Sequence, residues 1–199
     1  AGGLVTKNVH FRARTLLLTR GERAGYAASR EEFDRRVENG EKPAGYYLAS
    51  YRVGLKDGRL AACCRVDRGE QSAPGKKWNA FVVLNPEDPY YNGQTYVDVL
   101  TPAAVRRFLE VTYERYNQTV GSEFGKTIPA IFTDEPQLSR KWTLPEACSD
   151  GDVSIPFTDD FPDSYRKKYG EELLDRLPEL FWELPDVNAS RTRYRFHDH

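Results

Sequence analysis

The stretch Thr127 to Gln137, TIPAIFTDEPQ, decides how this chain is read, because an apolar run passes without a break into two carboxylates and a proline. Ile128, Ala130, Ile131 and Phe132 suit a strand buried on both faces, as in parallel α/β sheets. Thr133, Asp134, Glu135 and Pro136 then stand where that strand emerges. In a barrel of alternating strands and helices the active site is built at the carboxyl ends of the strands, so an acid pair there is placed for chemistry. A second reading stays open: Thr133 or Asp134 caps a helix with Pro136 in its first turn, and the helix dipole favours Glu135.

Working outward, the preceding segments follow a strand, loop, helix, strand order. Phe81 to Leu84 reads as a strand, Asn85 to Thr95 as a long loop, and Tyr96 to Leu100 as a short extended run. Thr101 caps a helix with Pro102 at its first position, and Val105, Phe108, Leu109, Thr112 and Tyr116 recur at helical spacing over residues 102–117. Gly121 and Gly125 end that helix and complete a β-α-β unit with the Thr127 strand packed beside its neighbours. Further upstream, Ser29-Arg30-Glu31-Glu32 is a capping box and Asn39-Gly40 a stop, which predicts a helix over 30–38. Tyr46 to Leu55 and Leu60 to Val66 are strand-like and joined through Asp57-Gly58, a hairpin signal. Adjacent barrel strands are parallel, so this hairpin is expected as an excursion at about 46–66 from the main sheet. Beyond Pro136, Pro162 to Tyr169 and Glu171 to Leu177 look helical. The fold expected is α/β: a partial (β/α)8 TIM-type barrel with an inserted antiparallel β-hairpin, spanning residues 1–199 as one domain.

Composition bounds the function classes. With 29 basic and 30 acidic residues the formal charge is −1, and the basic residues form no stripe, so neither nucleic acid nor membrane is expected as a partner. A start at Ala1, the absence of methionine, and an end inside RTRYRFHDH without a helix stop signal suggest an internal piece of a larger protein. Cys63, Cys64 and Cys148 show neither zinc spacing nor a disulfide framework and are expected as buried free thiols. His197 and His199, two apart, are expected at a surface or helix end instead of on a metal. Asn117-Gln118-Thr119 and Asn188-Ala189-Ser190 match the glycosylation sequon. Nothing in the chain fixes a compartment.

The chemistry-bearing residues suit a sugar. Aromatic rings pack on the C–H faces of a pyranose, and Asp, Glu and Asn bond its hydroxyls. Tyr90, Tyr91, Asn92 and Tyr96 lie in and just after one loop, Asp98 follows them, and Trp142 comes soon after the acid pair. Glycosidic cleavage uses two opposed carboxyl groups. Asp134 and Glu135 are adjacent and diverge, so Glu135 is assigned as the general acid, with Asp134 orienting it or binding a hydroxyl. Desolvation behind a buried strand and the like charge of Asp134 favour its protonated form. Asp98, Asp159 and Asp160 are candidates for the opposing carboxylate, as is a residue outside this chain. Expected substrate-binding residues are Asp134, Asp98, Asn92, Tyr96 and Trp142. No cofactor or metal is indicated, with calcium left open.

The segment YNGQTYVDVLTPAAVRRFLEVTYERYNQTVGSEFGKTIPAIFTDEPQ, from Tyr91 to Gln137, resembles α-L-rhamnosidase-like glycoside hydrolases of bacteria and fungi, as do DVSIPFTDDFPDSYRKKYG and RTRYRFHDH. The resemblance implies a (β/α)8 barrel of which this chain holds a part, with AGGLV just after the second strand and the remaining strands elsewhere. It also implies that Glu135 matches the acid at the end of the fourth strand. Asp134 stands where the best-known barrel group has Asn, and rhamnose leads among deoxyhexose, galactose and uronic acid substrates. The alternative is a carbohydrate-binding or scaffold domain without chemistry.

Overall fold

A computed structural model describes residues 2–133, 137–187 and 189–199. Asp134, Glu135, Pro136 and Asn188 lie outside the described residues. The chain divides into two compact units: residues 1–14 with 84–139, and residues 15–83 with 140–199.

The second unit is built on a five-stranded sheet of order β3-β2-β4-β1-β5, where β1 is Arg14–Thr19, β2 Gly45–Lys56, β3 Arg59–Val66, β4 Lys76–Leu84 and β5 Val153–Phe157. It is a single antiparallel sheet curled into a half-barrel, which replaces the expected parallel (β/α)8 TIM barrel. The reason is visible at the turns. Asp57 and Gly58 take positive φ of 51° and 74°, a two-residue reversal that pairs β2 and β3 antiparallel, Tyr51 opposite Arg65 and Val53 opposite Cys63. β4 follows β3 after only the nine residues 67–75, which include no helix, and it too pairs antiparallel with β2. A parallel pair would need a crossover of a dozen residues or more. The hairpin is therefore no insertion, because β2 is hydrogen-bonded on both sides.

The register explains which residues are buried. Tyr46, Ala49, Tyr51 and Val53 are all in the core, although the step from 46 to 49 breaks the two-residue period of a strand. A bulge between Tyr47 and Ala49 absorbs the extra residue and returns the side chains to one face, with Tyr46 opposite Val82 and Tyr51 opposite Trp78. Tyr51 donates its hydroxyl to the Leu174 carbonyl at 2.6 Å, and Trp78 meets Trp182 edge-on with ring centres 5.1 Å apart. This face thus packs on the 3-10 helix Leu173–Leu180, whose Leu173, Leu177 and Leu180 are buried. The opposite face is partly polar: Ser50 donates to Asn79 Oδ1 at 2.7 Å, and Asn79 Nδ2 donates to the Gly21 carbonyl at 3.1 Å.

Among the described residues there are six α-helices. α1 is Gly2–Val5, α2 Arg30–Glu38, α3 Pro102–Val111, α4 Tyr113–Val120, α5 Phe161–Tyr169 and α6 Arg191–Asp198. α2 has the bounds its capping box predicts: Ser29 Oγ accepts from Glu32 N–H at 3.2 Å, while Glu32 Oε2 accepts from Ala28 N–H at 2.9 Å. α5 ends at Gly170, which takes a φ of 69°. The segment expected to be helical over 171–177 is the 3-10 helix above. Among the described residues no helix is long and apolar enough to cross a membrane.

The single helix expected over 102–117 is two helices. Thr112 breaks it, with φ −123° and ψ −86°, and its hydroxyl bonds the Phe108 carbonyl at 2.5 Å instead of leaving that acceptor to the ladder. The strand expected over 127–132 is absent too. Ile128 is tied into a local turn, its N–H bonding the Glu123 carbonyl and its carbonyl accepting from Gly125 N–H, both at 3.0 Å. Pro129 has no N–H to give a ladder. Ile131 and Phe132 are exposed, Phe132 to 85%. The buried strand expected to desolvate the Glu135 segment is therefore not there. Tyr96 to Leu100 is likewise no strand; it contributes a single antiparallel bridge between Arg12 and Val97.

The loop before β5 is held electrostatically. Asp150 accepts from Lys76 Nζ at 2.9 Å and Arg20 Nη1 at 2.5 Å. The Lys76 hydrogen bond, with Arg20 adding to it against some desolvation, holds this carboxyl below its ordinary 3.8. Because the folded value is depressed, the stabilisation is present above the ordinary value and is lost as pH falls through the lowered one. Protection of the Ser149 amide, bonded to the Glu146 carbonyl at 3.0 Å, should fall below pH 3.8 in hydrogen exchange. In Asp150→Asn the acid-dependent step should disappear, whereas an unchanged step would mean that Asp150 does not hold the loop.

Candidate functional site

Three of the expected sugar-binding residues, Asn92, Tyr96 and Asp98, lie in the first unit on the turn from Asp88 to Asp98. Asp88 starts it by accepting Tyr90 N–H on its side chain at 2.8 Å, which opens the short 3-10 helix Pro89–Tyr91. Asn92 closes that helix with φ 57° and ψ 44°, a left-handed conformation that asparagine tolerates better than most residues. An antiparallel bridge between Asp88 and Gln94 then returns the chain. The result brings three rings together. Tyr90 and Tyr91 meet edge-on at 5.1 Å, and Tyr91 and Tyr96 are tilted at 5.4 Å. Tyr90 is 80% exposed, so the cluster offers an open aromatic face.

Tyr96 also anchors the chain beyond the acid pair: Gln137 N–H donates to Tyr96 Oη at 3.0 Å. On the other side of that pair, Tyr113 Oη and Thr133 Oγ1 share a hydrogen bond of 2.6 Å. Both neighbours of the Asp134–Pro136 segment are thus held by tyrosine hydroxyls. Glu135, the assigned acid, and Asp134 lie outside the described residues.

Asp98 sits differently from its neighbours. It is 2% exposed, accepts Leu100 N–H at 3.0 Å and the Thr101 hydroxyl at 2.8 Å, and lies 3.7 Å from Arg14 Nη1. Arg14 is equally buried, donating to the His10 and Arg12 carbonyls at 3.1 and 2.9 Å. The carboxylate holds the turn that leads into α3 and faces the Arg14 guanidinium. Breaking a buried pair leaves one charge uncompensated, so Asp98→Asn should lower stability by about 3 kcal/mol. Denaturant unfolding measures this. A variant of unchanged stability with weakened sugar binding would assign Asp98 to substrate instead.

Trp142 belongs to the second unit. It is exposed and joined to β5 by a reciprocal backbone pair with Ser154, both bonds at 3.0 Å. Asp159 and Asp160 are also there; Asp159 Oδ1 accepts the Tyr46 hydroxyl at 2.9 Å, and each carboxylate lies 3.8 Å from Arg30. His199 Nε2 shares a 2.7 Å hydrogen bond with Ser164 Oγ. Burial lowers the affinity of the His199 and His197 rings for a proton, with nearby Lys168 and Lys141 respectively adding to it. Among the described residues no group of three or more His, Cys, Asp or Glu is placed to hold a metal. The cysteines are free but not buried: Cys64 and Cys148 are exposed and Cys63 half-buried, where burial pushes its thiol up.

Residue patterns missed a second aromatic feature in the first unit. Phe108, Tyr113, Tyr116, Phe124, Ile131 and Phe132 line a cleft of about 420 Å³. Phe108 and Tyr113 meet edge-on at 6.3 Å across the Thr112 break. The apolar residues of 128–132 were the available signal, but they suggested burial in a sheet. A scan against protein-family models, a search of curated proteins and a search of solved structures each find no match.

Proposed function

We propose that the chain contributes a carbohydrate site at which O-glycosidic bonds are cleaved by carboxylate acid/base chemistry, with Glu135 as the general acid. The observation that carries this reading is the 3.0 Å hydrogen bond from Gln137 N–H to Tyr96 Oη, which ties the chain two residues beyond Glu135 to the tyrosine cluster. Two residues of chain reach at most about 7 Å. A pyranose resting on Tyr91 and Tyr96 therefore comes within reach of a carboxyl at position 135. The Glu135 proton passes to the glycosidic oxygen, the bond from the anomeric carbon to that oxygen breaks with its electrons going to oxygen, and water adds its hydroxyl to the anomeric carbon while its remaining proton goes to the opposing carboxylate. The products are the free sugar and an alcohol.

A second reading, sugar binding without turnover, is favoured by one observation. Asp98, the candidate opposing carboxylate in this unit, is already engaged by Arg14, Leu100 and Thr101. Tyr96 variants test the site under either reading. Tyr96→Ala removes both ring and hydroxyl and should weaken binding of its sugar about tenfold, equivalent to about 1.4 kcal/mol. Tyr96→Phe keeps the ring and should lose only part of that. The measurement is titration calorimetry or ligand-observed NMR over deoxyhexose, galactose and uronic acid probes. No binding to the unmodified chain, or equal binding by all three proteins, rules the tyrosine cluster out as a sugar platform.

A further inference from the structure

The first unit holds a further cleft, of about 620 Å³, which the carbohydrate reading does not use. Val111 at the end of α3 is buried there, and Leu4 of α1, Val120 of α4 and Ile128 add hydrocarbon to the lining. Leu4 is 51% exposed, so part of this hydrocarbon faces water. The size and apolar lining are those of a small-ligand site, in which a few polar groups decide what is accepted. Two of the polar groups here are already used: the Thr112 hydroxyl donates to the Phe108 carbonyl at 2.5 Å and the Thr119 hydroxyl to the Arg115 carbonyl at 2.9 Å. That leaves the Tyr116 hydroxyl and the Arg115 guanidinium, the one charged group lining the cleft. On α4 the positions three and four beyond Arg115 are Gln118 and Thr119, so no helical pair neutralises it. It has no carboxylate partner among the described residues.

We propose that this cleft binds a free single-chain carboxylate of medium length, its head on Arg115 and its alkyl chain along Leu4, Val111, Val120 and Ile128. The proposal does not depend on Glu135. A guanidinium presents a planar fork to both carboxylate oxygens and is weakly hydrated, so it pairs beside hydrocarbon at less cost than an ammonium group. An exposed ion pair contributes little by itself, so the chain supplies most of the affinity, each fully buried methylene strengthening binding about fourfold. The head then decides between amphiphiles. A cationic one is repelled by Arg115, and a sugar would turn its hydroxyls onto carbon that cannot bond them.

The test is ligand-observed NMR titration of the full chain with octanoate, butanoate, 1-octanol and octylammonium. Octanoate should bind saturably and butanoate at least about tenfold more weakly, since four methylenes are lost. Octylammonium should bind more weakly than octanoate. Arg115 is exposed, so Arg115→Gln leaves the core intact; it should weaken octanoate about fivefold and leave 1-octanol unchanged. Leu4→Ser should weaken octanoate and 1-octanol alike, by severalfold. No octanoate binding to the wild type, equal binding of octanoate and octylammonium, or undiminished binding by Leu4→Ser overturns the site. A loss in Arg115→Gln shared equally by 1-octanol would mean that the arginine shapes the cleft without pairing the head, and overturns the assignment of a carboxylate. Binding to phosphatidylglycerol vesicles that added octanoate does not displace would make this face a membrane contact and overturn it too.

Discussion

Trp182→Ala is expected to destabilise the protein by about 5 kcal/mol, the upper end for deleting a large buried aromatic residue. Trp182 is 2% exposed, meets Trp78 edge-on, and donates its indole N–H to the Ala147 carbonyl at 2.9 Å. Its loss would leave a cavity beside β4, strip Trp78 of its ring partner and orphan the Ala147 carbonyl. A protein of ordinary stability, about 5–15 kcal/mol, would be brought close to its unfolding threshold. Urea unfolding monitored by far-UV circular dichroism measures the change. A loss below about 1 kcal/mol would mean that the sheet does not depend on this contact.

Local signals were legible in the sequence and long-range ones were not. The capping box at Ser29 and the Asp57-Gly58 turn each act within a few residues, and both gave the observed element. The order of strand, helix and strand around Pro102 implied a parallel barrel because the run Ile128 to Phe132 was apolar, but Pro129 and the turn at Gly125 spend its backbone groups locally. β1 carries no such signal: Leu16 and Leu18 are fully buried, but no turn residue marks its start. β5 contains Pro156, which argues against an internal strand, but β5 lies at the edge of the sheet, where proline is tolerated. At the site, the clustering of Tyr90, Tyr91 and Tyr96 followed from their closeness in sequence. The bonds from Tyr113 to Thr133 and Tyr96 to Gln137 span 20 and 41 residues, and no local pattern announces them. Asp98 reads as a sugar ligand in the sequence, and nothing local announces its distant neighbour Arg14.

The other large expected effect is functional. Glu135→Gln keeps the size and shape of the side chain and removes its transferable proton, so turnover of glycosides with weakly acidic leaving groups should fall by at least about two orders of magnitude. Binding of the sugar to the tyrosine cluster should change little, because the contacts of Tyr91 and Tyr96 do not use that proton. A parallel loss of affinity and turnover would make Glu135 a binding residue.

The most direct test of Glu135 as the acid is hydrolysis of an aryl glycoside series by the wild type and Glu135→Gln, using the sugar that the binding experiments identify. A leaving group that is already acidic needs little protonation, so the variant's loss should be small for nitrophenyl glycosides and grow steadily as the leaving-group pKa rises. Equal, small losses across the whole series would contradict the assignment.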